Sequence, residues 1–392
     1  MKWKQRASLI LVCIFFIWCF HHTKKGLMEY IDFSKRSTED FQNDNIDPWD
    51  IWAEMPSIKA ITSMSDLQID IILNAMAKSK ITKADVGFKG TQLKAHLELD
   101  GATSQQAVFK PKRYERSRIL NQSPYEGYDR HNGEIAAFHL DRVLGFYKAP
   151  PVVGRIVNLR SEILPVAGKS LFKTFWKDRT GIICFYGKCM YCKKKESACG
   201  KGELMEASLT LWLPHNFKLK KIRHPWQRTY RKNVKARWER DDSYCQSVIK
   251  KPPYDKGPRL LDLMDAAIFD FLIGNADRHH YEFIENDETS MVVNLDNGKS
   301  FGDPNHDELS ILTPIMQCCM LRRSTYIRIS SFASDLENNL SLSHILDLKL
   351  KTDPIYPILT TSHLDALDRR LEVIFDKLKE CFDKKGRQNV LL

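Results

Sequence analysis

The stretch Gly274-Asn275-Ala276-Asp277-Arg278-His279-His280-Tyr281-Glu282, followed by Val292-Val293-Asn294-Leu295-Asp296-Asn297-Gly298, decides the fold. Asp277 comes just after an apolar, helix-like run, and Asp296 closes an apolar, strand-like run. Phosphoryl transfer to a hydroxyl needs one carboxylate at the acceptor proton and another on the metal that bridges the nucleotide phosphates. Two Asp residues on consecutive rigid elements can supply that pair. Each also has a plainer reading: Asp277 as a capping residue after Gly274, and Asp296 as the first residue of an Asx-turn in Asp-Asn-Gly.

The order of an Asp, a hairpin and a second Asp before Asn-Gly matches the catalytic half of a protein-kinase-like fold. The His-Arg-Asp and Asp-Phe-Gly wording of ordinary kinases is not used. The chain instead resembles the atypical secretory-pathway kinases related to the Golgi casein kinase. The resemblance is carried by Phe109-Lys110-Pro111-Lys112, Asp129-Arg130-His131-Asn132, Ala136-Ala137-Phe138-His139-Leu140-Asp141-Arg142, Cys184-Phe185-Tyr186-Gly187, His279-His280-Tyr281 and His306-Asp307-Glu308-Leu309-Ser310-Ile311-Leu312. It spans residues 80–385.

That resemblance implies an α+β fold of two lobes, a small β-rich N-lobe and a larger, mainly helical C-lobe. It also implies ATP and Mn²⁺ (or Mg²⁺). Residue by residue, it makes Asp277 the general base and Asp296 the metal ligand facing the phosphates. Lys110, a solvated strand-end lysine if taken alone, would reach the phosphates. Gln92, placed on the preceding strand, and Glu282 match nucleotide-site positions, and Glu282 could also serve a second metal. Asp129 falls where relatives carry an acidic metal ligand; Glu134, five residues on, is the weaker candidate. Thr210-Leu211-Trp212-Leu213 matches the segment that cups adenine, although a buried strand would read the same. Gly87 and Gly90 bracket the start of the strand carrying Gln92, without a full Gly-x-Gly-x-x-Gly.

The chain has 392 residues, enough for two lobes with sizeable cores, and 43% hydrophobic content. A net charge of +11 favours an anionic partner. Lys2, Lys4 and Arg6 precede an apolar run from Ala7 to Phe20, the pattern of a secretory signal. No small-x-small cleavage site follows. The reading is a cytosolic tip at 1–6, an uncleaved signal anchor at 7–20 and a lumenal body, by the charge rule for orientation. A cleaved signal is the alternative, and a secreted form is compatible with either. The expected location is the Golgi membrane, single-pass type II.

Of ten cysteines, Cys13 and Cys19 lie in the apolar run. The other eight read as four disulfides in an oxidising lumen, and their spacing alone leaves the connectivity open. The resemblance implies Cys184–Cys199, Cys189–Cys192, Cys245–Cys318 and Cys319–Cys381. The rival reading is a zinc site of Cys184, Cys189, Cys192 and Cys199. Asn339-Leu340-Ser341 is a glycosylation sequon, and Asn121-Gln122-Ser123 a weaker one.

Along the chain, 21–60 reads as a stem or linker, with partial order expected around Trp49 and Trp52, and 61–392 as the kinase-like domain, with lobes at 61–150 and 151–392. Asp66 to Lys78 has helical apolar spacing. Val86 to Leu99, a turn at Asp100-Gly101 and Ala107-Val108-Phe109 read as a hairpin. Asp129 to Leu144 and Leu260 to Ile273 read as helices stopped by Gly145 and Gly274. His363 to Cys381 carries Leu364, Leu367, Leu371, Ile374 and Leu378 on one stripe.

Between Lys218 and Arg240 there are ten Lys or Arg and one Glu, interleaved with Trp226, Tyr230 and Trp238. A solvated basic face is the plain reading. Cations and rings also suit an anionic sugar polymer, and a lumenal body argues against nucleic acid. Trp212 and Trp226 are the candidates for stacking on a sugar. Thr210-Leu211-Trp212-Leu213-Pro214, Arg223-His224-Pro225-Trp226 and Gly127-Tyr128-Asp129-Arg130 resemble the sugar-directed members of the family. The function they imply is phosphorylation of the 2-hydroxyl of xylose in the proteoglycan glycosaminoglycan linkage region, the substrate partner being that glycan. The rivals are a Ser/Thr protein kinase for secreted phosphoproteins and a pseudokinase acting as a binding partner.

Overall fold

Alternation builds the first sheet. In β2 (Ala95–Leu99), Ala95, Leu97 and Leu99 are buried while His96 and Glu98 face outward. Such period-two patterning fixes one face of a strand to the core. The structure is a computed structural model describing residues 47–392 except 88, 89, 122, 124, 232, 286 and 334–339. The signal-anchor reading at 7–20, most of the stem and Asn339 of the sequon lie outside the described residues. Among the described residues no helix is long and apolar enough to cross a membrane. One compact unit runs from Trp49 to Leu392; the other, Met1–Pro48, lies almost entirely outside the described residues.

The described residues begin with α1 (Pro48–Glu54) and α2 (Asp66–Lys78), then β1 (Ile81–Val86), β2 and β3 (Gln105–Pro111). Helix α3 (His131–Val143) leads to β4 (Val152–Asn158). A small sheet of β5 (Phe175–Lys177), β6 (Ile183–Phe185) and β7 (Ala198–Cys199) precedes β8 (Leu204–Leu211) and β9 (Leu219–Arg223). Helix α4 (Arg259–Ile273), β10 (His280–Ile284), β11 (Val292–Val293) and a helical remainder that includes the long α5 (Thr361–Lys385) complete the chain. The architecture is α+β, with a β-rich N-terminal part and a mainly helical C-terminal part.

Three boundaries differ from the sequence reading. Val86 to Leu99 is not one strand: β1 stops at Val86, and the Gly87 N–H bonds the Lys94 carbonyl to close a loop. The N-lobe does not close near residue 150. The main sheet has the antiparallel order β1-β2-β3-β8-β4, so strands after Pro150-Pro151 complete it and the helical part begins beyond Leu211. The stem reading at 21–60 also ends early. Trp49 and Trp52 of α1 are buried, and their indole N–H groups bond the Asp100 and Trp212 carbonyls at 3.0 and 2.9 Å. Two large aromatics bury too much apolar area to remain in a solvated linker.

Helix α3 packs against β4, β8 and α4, and nearly all its side chains are buried. The stripe on α5 is as expected, with Leu367, Leu371, Ile374 and Leu378 in the core. Four disulfides join Cys184–Cys199, Cys189–Cys192, Cys245–Cys318 and Cys319–Cys381. All four thiols of the alternative zinc set are therefore bonded to one another in pairs. Cys184 and Cys199 face each other across β6 and β7, whereas the other two long-range bridges tie the helical part together.

Candidate active site

Lys110 follows buried Phe109 on β3, so alternation turns it away from that core face and under the sheet. It is 7% exposed, and its ammonium is surrounded by carboxylates. Nζ lies 2.9 Å from Asp129 Oδ2, 2.5 Å from Glu134 Oε1 and 2.8 Å from Asp296 Oδ1. Burial opposes its charge, yet Asp129, Asp296 and Glu134 together hold its pKa well above the ordinary lysine value. In return Lys110 holds the Asp296 carboxyl well below the usual range. Burial pushes Glu134 up, with Lys110 opposing.

These carboxylates come from separate elements. Asp129 precedes α3 and Glu134 lies in its first turn. Asp296 follows β11 in the left-handed region at φ 57°, a conformation that Asp and Asn tolerate better than most residues. Glu134 also accepts the Asn297 N–H at 3.1 Å, so one helix residue fixes both the lysine and the Asp296 loop. Gly298 permits this approach. A Cβ there would lie 2.8 Å from both Cβ and Cγ of Asp129, and the Arg130 N–H bonds the Gly298 carbonyl at 2.7 Å.

Helix α4 is stopped by Gly274 at φ 68°, as a C-terminal glycine does. The next turn aims Asp277. Its N–H bonds Asn275 Oδ1 at 3.2 Å, and its carbonyl accepts the His279 N–H at 2.8 Å. The Tyr230 hydroxyl donates to Asp277 Oδ1. Burial raises the Asp277 pKa, while that bond and the nearby His279 and Lys299 charges oppose the rise. Neither plainer reading matches the bonds seen: the Asp277 carboxylate accepts from Tyr230 and the Asp296 carboxylate from Lys110, while the Asx-type turn that orients Asp277 is made by Asn275.

A cleft of about 790 Å³ opens beside Lys110 and Asp296. Thr210, Leu211, Trp212, Leu213 and Glu282 line it. That volume is in the usual range of small-molecule sites. Asp296 is 79% exposed on its side chain because it faces this open space. Trp212 has its N–H on the Gln106 carbonyl at 2.9 Å and its carbonyl on Trp52 Nε1. Its backbone is thus engaged within the protein. Glu282 lies 3.5 Å from Lys221 Nζ, opposite Val293 across β10 and β11.

Two expected placements fail. Gln92 lies in the β1–β2 connection rather than on a strand, and it is not among the residues lining the cleft. Trp226 is 5% exposed, its Nε1 bonded to Gln317 Oε1 at 2.8 Å and its ring edge-on to Tyr244. It is a core residue and offers no face to a sugar. Trp212 belongs to the large cleft, on the lysine side. The site residues that sequence reading undervalued are Glu134, Arg278 and Tyr230; acidic spacing on α3 and a ring beside many cations were the only signals.

Hard carboxylate oxygens suit Mg²⁺ or Mn²⁺. Asp129 and Asp296 both reach the same ammonium, so they converge on one point. Among the described residues no group of three or more acidic, His or Cys side chains forms a ready metal cage. Two convergent carboxylates are what such an ion takes from a protein when nucleotide phosphates supply other oxygens. A second cavity of about 350 Å³ adjoins Gly274 and is lined by Glu126, Asp303, His306 and Glu308. Of its arginines, Arg130 donates through Nε and Nη2 to the Ser300 and Lys299 carbonyls and keeps a buried Nη1 without a partner, and Arg370 pairs with Asp307.

The family description "Golgi casein kinase, C-terminal, Fam20" matches residues 47–390. A human glycosaminoglycan xylosylkinase is 47% identical over 411 residues, covering 100% of this chain and 98% of the relative. The solved structure of hydra Fam20 with sugar superposes with a TM-score of 0.86 at 59% identity, covering 89% of this chain and 99% of that one. The Golgi casein kinase with Mn/ADP bound superposes at 0.84 with 35% identity, covering 94% and 92%. With a family match over most of its length and relatives this similar, the chain belongs to the Fam20 family of Golgi casein kinase-like proteins.

Proposed function

We propose that this chain transfers the terminal phosphate of ATP to the 2-hydroxyl of xylose in the proteoglycan linkage region. It would act in the Golgi lumen, anchored through the Ala7–Phe20 run with its catalytic domain lumenal. The observation that carries the kinase reading is the three-carboxylate grip on Lys110. The choice of a sugar acceptor is supported by full-length similarity to a named xylosylkinase and by the hydra relative, whose structure holds a sugar.

Lys110 positions the nucleotide by charge, exchanging part of its carboxylate contact for phosphate oxygens. Glu134 holds the ammonium in place and, through Asn297, the loop that carries Asp296. Asp129 and Asp296 would hold Mn²⁺ (or Mg²⁺), which supplies neutralising charge for the phosphate oxygens. Asp277 accepts the proton as the acceptor oxygen bonds to phosphorus and the bond to the ADP oxygen breaks. The fixed turn at Asn275 keeps that carboxylate aimed, which is where orientation lowers the barrier.

The experiment incubates the protein with labelled ATP, Mn²⁺ and either a galactosyl-xyloside or an acidic Ser peptide. Far higher kcat/KM for the xyloside is expected; a better peptide would transfer the assignment to a protein kinase. No transfer to any acceptor, with nucleotide bound, would favour the pseudokinase reading.

A further inference from the structure

Tyr230 comes from the basic, aromatic connection between β9 and α4, far in sequence from the residues it touches. Its hydroxyl donates to Asp277 Oδ1 and lies 3.2 Å from His279 Nδ1. Its ring stands edge-on to Tyr125 at 5.0 Å and to His279 at 5.8 Å. It is nevertheless 49% exposed. A half-exposed phenol with its hydroxyl on a carboxylate is not needed to fill the core. The oxygen it occupies is one that a general base uses to take a proton from an acceptor hydroxyl.

We propose that the Tyr230 hydroxyl stands in for the acceptor hydroxyl on Asp277 and withdraws when the sugar binds. This rests on Asp277 being the base. With the acceptor site empty, Asp277 would otherwise activate water. The water oxygen would bond to the terminal phosphorus of ATP, the bond to the ADP oxygen would break, and the water proton would pass to Asp277. Tyr230 blocks that wasteful hydrolysis by holding the lone pair. The same bond lowers the Asp277 pKa against the effect of burial, so Tyr230 acts as a positioning residue on the base.

The test compares wild type, Y230F, D277N and the double variant as full chains. Acceptor-free ADP release, transfer to a galactosyl-xyloside across pH, and thermal melting are each measured. Y230F deletes one hydroxyl and keeps the ring. It should raise hydrolysis relative to transfer by about tenfold or more, the scale of one hydrogen bond to a charged group. The acid limb of its transfer profile should move to higher pH. In melting, Y230F and D277N should be non-additive, because one removes the donor of the bond and the other turns its charged acceptor into a weaker, neutral one. Unchanged hydrolysis with additive melting shifts would overturn the proposal. Should Y230F fail to fold, Y125L removes the ring that holds Tyr230 and should raise hydrolysis in the same way; no rise overturns it equally. If wild type transfers phosphate to no acceptor, the base reading itself fails, whatever the melting data show.

Discussion

Arg278 makes a two-bonded ion pair with Asp270, Nε at 2.5 Å and Nη2 at 2.8 Å from its two carboxylate oxygens. Both side chains are buried, and Arg278 also donates to the Leu295 carbonyl at 2.7 Å and to Asn297 Oδ1 at 2.8 Å. The residue next to the proposed base is therefore bolted to α4 on one side and to the Asp296 loop on the other. Burial favours a neutral Asp270, but Arg278 keeps the pair together.

Arg278→Lys should uncouple the two loops. A lysine cannot reproduce a planar fork of donors, so Asp270, Leu295 and Asn297 cannot all be satisfied. Lysine keeps a cation opposite Asp270 but loses the fork, so the cost stays below the roughly 3–5 kcal/mol of losing a buried partner outright. We expect a lower melting temperature and a fall in kcat of one order or more; a variant with wild-type kcat would show that the loops are aligned by other contacts.

Asp277→Asn should leave nucleotide binding intact and cut turnover by about 10²–10⁴-fold, the usual contribution of a positioned base. The pH profile carries a second check. Burial raises the Asp277 pKa, and a protonated carboxyl cannot accept a proton. Activity should thus rise with pH through a limb above the ordinary aspartate value. A flat profile down to that value would remove Asp277 from the role.

Glu134→Gln should weaken nucleotide binding as well as turnover. It removes the charge opposite Lys110 and the strong acceptor of the Asn297 N–H at once. The reading is the thermal shift given by ATP with Mn²⁺, expected to shrink, alongside Asp296→Ala, expected to abolish it. If both variants keep the full shift, the carboxylate cluster is structural only.

Acid should destabilise the fold through its buried histidines. Burial pushes His139 and His224 down to about 3 and His363 down to about 4. Each stays neutral in the folded protein while the unfolded chain takes up a proton below its ordinary value near 6.5. Stability contributed by each is present above that value and falls as pH drops through it, by about 1.4 kcal/mol per unit per group. Melting temperature should fall between pH 7 and 5; a constant value would mean that the rings find proton acceptors when charged.

The sequence by itself determined the local chemistry. Gly274 after an apolar helix, Asp-Asn-Gly after an apolar strand, and Lys110 at the end of an alternating strand are short-range patterns. Turn and strand periodicity are set by neighbours in the chain, so they were legible there, and the family wording added the order of the parts. What the tertiary structure decided is which groups meet. That Glu134 outranks its expected part, that Arg278 joins two loops, and that Tyr230 reaches Asp277 depend on contacts across many residues. That Trp226 is core and Trp52 is no linker residue follows from burial, which amino-acid type does not fix. The sheet crosses residue 150 because β8 pairs with both β3 and β4. Backbone pairing over such distances leaves no periodic mark in the sequence, since the partners share only an extended conformation.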